Sequence, residues 1–395
     1  MTPALLDWIS AQQEAITELL QQWSNINSYT FNPPGLAQMT SALTHEMADL
    51  GVVERLPLPP AETIDARGDI QRHEMGDALR VLINPDAPRR ILMNIHYDTV
   101  YAPESKFQHA LRNGDTLTGP GVLDAKGGII VLLTAARAFL RSPHSQNLSI
   151  EILLTPDEEI GSPGSGALLI EAAQRNHFAL LYEPAMSDGA LVSSRKGSGN
   201  FVFIVRGRAA HAGRDFHAGR SAILAASEIV LRLSQAFPNH PGITINCGRF
   251  EGGAALNVVP DLAIARFNAR ATTPHEQHLI EHTVRSLAAE FSAREGISVT
   301  VSGEFRSPPK VLDRASEHLL NIILDCGKQL GLDLPHRTSG GASDGNRIAA
   351  AGVPTIDSLG PVGAHLHSER EFVHLPSLTE RAKLSALVLL KLSQG

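Results

Sequence analysis

The chain is poor in cysteine: its 395 residues include only Cys247 and Cys326. Two thiols exclude a disulfide scaffold and a zinc site built from cysteine. An excess of basic charge is missing too. Lys plus Arg number 34 against 41 Asp plus Glu, giving a formal net charge of −7 and a pI near 6.2. A nucleic-acid partner would call for a basic face and usually a basic pI, so none is expected. Long apolar runs are absent as well. The best, Ile129–Leu140, is interrupted by Arg137, and a membrane span needs ~18 such residues, so no membrane partner is expected. The opening Met-Thr-Pro-Ala-Leu-Leu-Asp has no basic stretch and no long apolar core. No secretory signal is therefore expected, and the cytoplasm is the expected compartment. Hydrophobic residues make up 43% and charged residues 19%, which excludes a disordered chain. What the chain does have is histidine, 17 in all. Any metal it holds must be bound through nitrogen and oxygen.

The length points to two domains or three. Residues 5–24 read as an amphipathic helix, with Leu5, Ile9, Ile16, Leu19, Leu20 and Trp23 as its stripe. A second helix is expected near 36–50. Short apolar runs follow at Ile91–Ile95, Leu148–Leu154 and Ala179–Tyr182, with a buried helix over Gly128–Leu140. Such alternation predicts an α/β layer with a largely parallel sheet. The texture changes after about residue 190. Strands at 200–205, 243–247, 263–270 and 297–302 and helices at 221–237 and 275–294 predict a small α+β unit inserted into the first. The α/β pattern resumes after Arg306-Ser-Pro-Pro309, with helices at 313–331 and 377–393 and a strand near 354–358.

Three polar segments sit just past the carboxyl ends of expected strands: His96-Tyr-Asp98, Asp157-Glu158-Glu159 and Glu183. In open α/β sheets that edge is where ligands bind. Asp124 lies in the glycine-rich turn 119–128, and His367 follows the strand near 354–358, with His365 as a close rival. If these ends converge, one pocket gathers Asp98, Asp124, Glu158, Glu159 and Glu183. Two carboxylates ~4 Å apart repel by about 4 kcal/mol at an effective dielectric of 20. Either several are protonated or cations sit between them. Two divalent ions bring +4 against the −3 of Asp124, Glu159 and Glu183, and the imidazole–carboxylate mix suits zinc. On a strand, residues i and i+2 point to one side. His96 can thus bind metal while Asp98 holds its other ring nitrogen. Of the adjacent Glu158 and Glu159, one can ligate while the other faces the attacking water as base.

Each feature has a plainer reading. His-x-Asp alone is usually surface polarity. Asp-Glu-Glu after Pro156 suits the first turn of a helix. Gly341-Ala-Ser343-Asp-Gly345 matches the G-x-S-x-G nucleophile elbow, which would make Ser343 the nucleophile of a serine hydrolase. The elbow needs a strong preceding strand, and Leu332–Ser339 contains a proline, two charged residues and a histidine. His45-Glu46 and His73-Glu74 lack the second histidine of H-E-x-x-H.

Taken together, His96-Tyr-Asp98-Thr-Val, Gly119-Pro-Gly-Val-Leu-Asp124-Ala-Lys-Gly-Gly, Asp157-Glu-Glu-x-Gly-Ser, Glu183-Pro, Gly207-Arg-Ala-Ala-His211-Ala-Gly and His367-Ser resemble the two-zinc metallopeptidase family. That family comprises acetylornithine deacetylase, succinyl-diaminopimelate desuccinylase, aminoacylase and glutamate carboxypeptidase. The resemblance spans residues 5–393. Its glutamate carboxypeptidase branch is nearest, through His96-Tyr-Asp-Thr-Val-Tyr101 and Arg337-Thr-Ser-Gly-Gly-Ala-Ser-Asp344.

The resemblance implies a phosphorylase/hydrolase-like catalytic domain, 1–191 and 306–395, with a mostly parallel mixed sheet between helices. It implies a ferredoxin-like α+β lid and dimerisation domain over 192–305. It implies two Zn2+ per subunit, with Co2+ or Mn2+ as substitutes. His96 and Glu183 would hold one, Glu159 and His367 the other, and Asp124 would bridge them. Asp98 would orient His96, and Glu158 would be general base, then general acid. His211 would reach a partner's active site in a homodimer and stabilise the oxyanion. Asn257, Arg270 and the Gly340-Gly341 loop would hold the substrate's carboxylate, with Arg306 at a further substrate-binding position. The implied substrate is an N-acyl amino acid or a short peptide with a free carboxyl end. Glutamate-carboxypeptidase-like activity is favoured over N-acyl amino acid deacylase activity. A non-catalytic metal-binding protein is the rival from another class. Two departures stand out: Ala125 replaces a residue usually acidic or Met, and 184–196 differs from the carboxypeptidase branch.

Overall fold

The computed structural model describes residues 2–394. Its main sheet has six strands in the order Val53–Leu56, Ala78–Ile83, Leu148–Thr155, Arg89–His96, Phe178–Leu181, Thr355–Ile356. The last four run parallel, and the first two form an antiparallel edge. The central strands are apolar on both faces because both are covered. Ile91, Met93 and Ile95 point into a core with the helices Lys126–Leu140 and Pro376–Gln394. Leu92 points into a second layer with Leu169, Ala172 and Ile348. His96 is in register with Thr155, and Asn94 with Leu181. The chain therefore leaves three neighbouring strands at one edge, carrying His96, Glu158–Glu159 and Glu183.

A separate four-stranded antiparallel sheet has the order Thr244–Gly252, Leu262–Ala271, Gly197–Arg206, Ser298–Ser307. One face packs on the helices Ala222–Ser234 and Pro274–Ser292 through Phe201, Phe203, Phe267, Ile229 and Phe291. The alternation that put Arg266, Asn268 and Arg270 on one face is explained by this packing: Ala265, Phe267, Ala269 and Ala271 fill the core side. This unit has its own apolar core, distinct from that of the main sheet.

A small sheet matters more for the site than its size suggests. Gly363–Ala364, Phe372–His374, Thr116–Thr118 and Leu111–Asn113 pair in that order. It pins the loop that starts at Gly119 beside the loop that carries His367.

Some local expectations shift. The helix over 5–24 is two helices, Thr2–Ala11 and Gln13–Ser24. The helix expected from 36 starts at Pro33, whose fixed φ suits a first turn. The strand near 354–358 has two residues only. Residues His336–Ser339, whose composition argued against a strand, pair in parallel with Leu191–Arg195. A neighbouring strand offered pairing that the local sequence does not advertise. Among the described residues, no helix is long and apolar enough to cross a membrane.

Candidate metal centre

At the edge where the parallel strands end, the side chains of His96, Asp124, Glu159, Glu183 and His367 gather. The His96 Nε2 lies 3.0 Å from Asp124 Oδ1 and 3.8 Å from Glu183 Oε2. The His367 Nε2 lies 3.2 Å from Asp124 Oδ2 and 3.2 Å from Glu159 Oε2. Asp124 thus turns one oxygen to each imidazole. His96, Asp124 and Glu159 offer ligand atoms within 4.8 Å of one another. Glu158 joins Asp124, Glu159, Glu183 and His367 in lining a cavity of about 300 Å3.

The backbone explains this placement. Gly121 sits at φ 72° and lets the 119–125 loop turn back. Gly128 lets the following helix approach so closely that a Cβ there would lie 2.1 Å from the Tyr182 carbonyl oxygen. His367 sits at φ 58°, a left-handed conformation that aims its ring inward from an open loop. Its rival His365 packs beside Phe372, with ring centroids 6.0 Å apart.

Around these residues lies a layer of holders. The His96 Nδ1 lies 3.2 Å from Asp98 Oδ1, which leaves Nε2 directed into the cluster. Asp98 is buried, accepts the Thr30 hydroxyl at 2.6 Å and accepts the Glu158 and Glu159 amides at 3.2 and 3.3 Å. Glu371 accepts the Leu123 and Asp124 amides at 2.8 and 3.1 Å and the Tyr101 hydroxyl at 2.6 Å. Arg195 lines the cavity, donates to Asp357 at 2.6 Å and to the Gly341 carbonyl at 3.1 Å. Thr30, Glu371, Arg195 and Asp357 carry no local signature and escape sequence reasoning. Only the fold brings them near.

The electrostatics are those of crowded acids. Burial and the neighbouring Glu183 carboxylate push Glu158 well above the carboxylate range. Burial pushes Glu159 up to about 7, aided by Asp124. Burial, partly offset by His96, pushes Glu183 up to about 8. Burial opposes ionisation of Asp124 too, but hydrogen bonds with His367 and His96 hold it below the usual range. Bonds to Asp124 and Glu159 raise His367 to about 10. The site therefore holds protons that a divalent cation would displace.

The donor set fits such a cation. Glu159 Oε1 is buried without any hydrogen-bond partner, which is costly unless a ligand completes it. Two imidazole nitrogens and three carboxylates are hard to intermediate donors, suited to zinc, cobalt or manganese.

The remaining candidates are placed apart. Gly341 lines the cavity. The Arg270 guanidinium reaches the Gly340 carbonyl at 3.5 Å and donates to Asn268 at 2.8 Å, so it is not simply pointing to solvent. Arg306 lies against Gly161, beside the Glu158–Ile160 turn. His211 and Asn257 sit together where His211 pairs with Val258 and the Ala212 amide donates to the Asn257 carbonyl at 2.9 Å. Neither lines the cavity of its own chain. Ser343 is buried, donates to Asp357 at 2.6 Å and caps the helix Asp344–Ala350. Among the described residues it bonds to no histidine, so the elbow motif has no base.

A family model, peptidase family M20/M25/M40, matches residues 92–391. The chain is 26% identical over 397 residues to carboxypeptidase G2 of Pseudomonas sp. (strain RS-16), spanning 97% of this chain and 91% of that protein. It is 26% identical over 316 residues to succinyl-diaminopimelate desuccinylase of Marinobacter nauticus, spanning 75% of this chain and 82% of that protein. An M20 family metallo-carboxypeptidase from Sulfolobus solfataricus superposes with a TM-score of 0.74 over 96% of this chain and 99% of that one, at 15% identity. That last likeness is one of fold.

Proposed function

The chain belongs to peptidase family M20/M25/M40, and from that premise we propose that it hydrolyses an amide bond next to a free carboxylate, using two divalent ions. The observation that carries this reading is Asp124, which offers one oxygen toward His96 and the other toward His367. We assign His96 and Glu183 to one ion, Glu159 and His367 to the other, and Asp124 to both, with zinc the preferred metal. Bound there, the ions supply Lewis acidity that polarises the scissile carbonyl and lowers the pKa of water toward ~7.

The rest of the reaction falls to side chains. Glu158 takes a proton from the attacking water and delivers it to the leaving amine. Its strongly raised proton affinity suits that shuttle. Asp98, held by Thr30 and two amides, keeps the His96 ring oriented. Arg270 and the Gly340-Gly341 loop take the substrate carboxylate, Arg270 as a planar fork donor; Asn257 and Arg306 add contacts to it.

We read 1–191 with 306–395 as the catalytic domain and 192–305 as a lid that pairs with a second copy. Leu224 and Leu231 support this reading: they lie seven residues apart on one helix and are 69% and 56% exposed. The strand Thr244–Gly252 is an unpaired sheet edge beside that helix, the kind of edge a second copy could extend. In that dimer His211 of one subunit enters the other's cavity and stabilises the oxyanion. Cleavage of a C-terminal amino acid, as in glutamate carboxypeptidases, is favoured over N-acyl amino acid deacylation by the length of the match to carboxypeptidase G2. A reducing, cytoplasmic setting accords with two free cysteines.

The test is amine release from short peptides, N-acetyl, N-succinyl and N-aroyl amino acids by zinc-loaded protein. Turnover should vanish with chelator and return with zinc. Chelator-insensitive turnover, or none across the panel at full metal occupancy, would overturn the reading.

A further inference from the structure

At the amino end of the same parallel strands lies a second cavity, of about 500 Å3. Its polar wall is made by Arg89, His177, His318 and Lys391, and its apolar wall by Phe178, Ile322 and Leu392. Among the described residues no Asp or Glu lines it, in a chain that carries an acidic net charge. It is remote from the metal centre. Arg89 and His96 begin and end one strand, seven residues apart, or about 23 Å at ~3.3 Å per residue.

The charged groups Arg89 and Lys391 present donors only. The Arg89 Nη1 donates to the Leu392 carbonyl at 2.9 Å, which fixes the guanidinium, and among the described residues its other nitrogens have no side-chain partner. The His177 Nδ1 accepts the Arg90 amide at 3.1 Å. In the neutral ring the proton therefore sits on Nε2, a donor. Lys391 stands in the last turn of the C-terminal helix, where the helix dipole favours a cation without any ligand. That accounts for Lys391 but not for Arg89 and two imidazoles converging from other elements. Among the described residues, none of the four makes an ion pair with an acid at 4.0 Å or less. Phe178, Ile322 and Leu392 would meanwhile cover an apolar body.

We propose that this cavity is a second binding site, taking a small organic anion whose carboxylate meets Arg89 and Lys391 and whose apolar body lies on Phe178 and Ile322. Two strands link it to the chemistry: Arg89–His96 ends in the metal cluster, and Phe178–Leu181 leads to Glu183. The site is separate from amide hydrolysis and stands whether or not the proposed substrate is correct.

Calorimetry on the metal-loaded protein tests it, with phenylbutyrate as probe and inorganic phosphate as comparator. Expected is saturable phenylbutyrate binding that Lys391→Glu and Arg89→Met each weaken by about tenfold or more. Amide turnover in both variants should stay within about twofold of the parent. Among the described residues Lys391 makes no side-chain hydrogen bond that the variant would break, so Lys391→Glu remains informative should Arg89→Met fold poorly. Unchanged affinity in Lys391→Glu would place the probe outside this cavity and overturn the proposal. Absence of saturable binding would overturn it as well. Phosphate binding as tight as phenylbutyrate would remove the apolar half of the site.

Discussion

The metal cluster and the inserted sheet teach opposite lessons about how a site is assembled. In the cluster, five side chains from distant segments gather within a single chain, because parallel strands deliver His96, Glu159 and Glu183 to one edge and the small antiparallel sheet pins the loops of Asp124 and His367 beside it. On the inserted unit, His211 and Asn257 meet each other but not the cavity. The first region is complete in one copy. The second, on the proposal above, is completed by a second copy that brings its His211 to the cavity. A site fixed by strand ends needs no second body, whereas a site carried on a separately packed unit depends on where that unit comes to rest.

The comparison can be broken at several points. Glu158→Ala should cut turnover by about 10⁴-fold while both metals stay bound, read by steady-state kinetics with elemental analysis. Loss of metal in that variant would make Glu158 a ligand and not a base. His211→Ala should lower kcat by about 10²–10³-fold at full metal content. Mixed with Glu158→Ala subunits, it should regain activity, because each hybrid dimer holds one site with both groups intact. No regain would return His211 to its own chain. Glu371→Gln should weaken metal binding by about 10–100-fold, since it loosens the loop that presents Asp124. Competition with a graded chelator measures this, and unchanged affinity would make Glu371 irrelevant to the site.

The smallest effect is a proton count. Without metal, Glu159 at about 7, Glu183 at about 8 and His367 at about 10 hold protons at pH 6. Each group sits above its ordinary value, and the cation takes the deprotonated form. Uptake must therefore release protons, and affinity must rise with pH over that interval. Calorimetry in buffers of different ionisation enthalpy reads the release. Zero release at pH 6 would mean the cation binds elsewhere.

How much of this could be read beforehand follows the same division. The strands Arg89–His96 and Leu148–Thr155 announce themselves as apolar runs because both faces are buried, and the acids behind them stand out for that reason. Thr30 and Glu371 gave no sign. A threonine before a helix and a glutamate in a loop become holders of Asp98 and of the Asp124 loop only when the small sheet clasps its two loops together. The polar His336–Ser339 strand was hidden for a related reason: the neighbouring strand Leu191–Arg195, more than local composition, holds it in place, while the strand expected near 354–358 is present but only two residues long.

The central claim is that Asp124 joins two cations, and an anomalous diffraction map at the zinc edge addresses it most directly. Expected are two peaks per chain, one contacted by His96 and Glu183, the other by Glu159 and His367, with an Asp124 oxygen on each. A single peak, or a pair that Asp124 does not span, would contradict it.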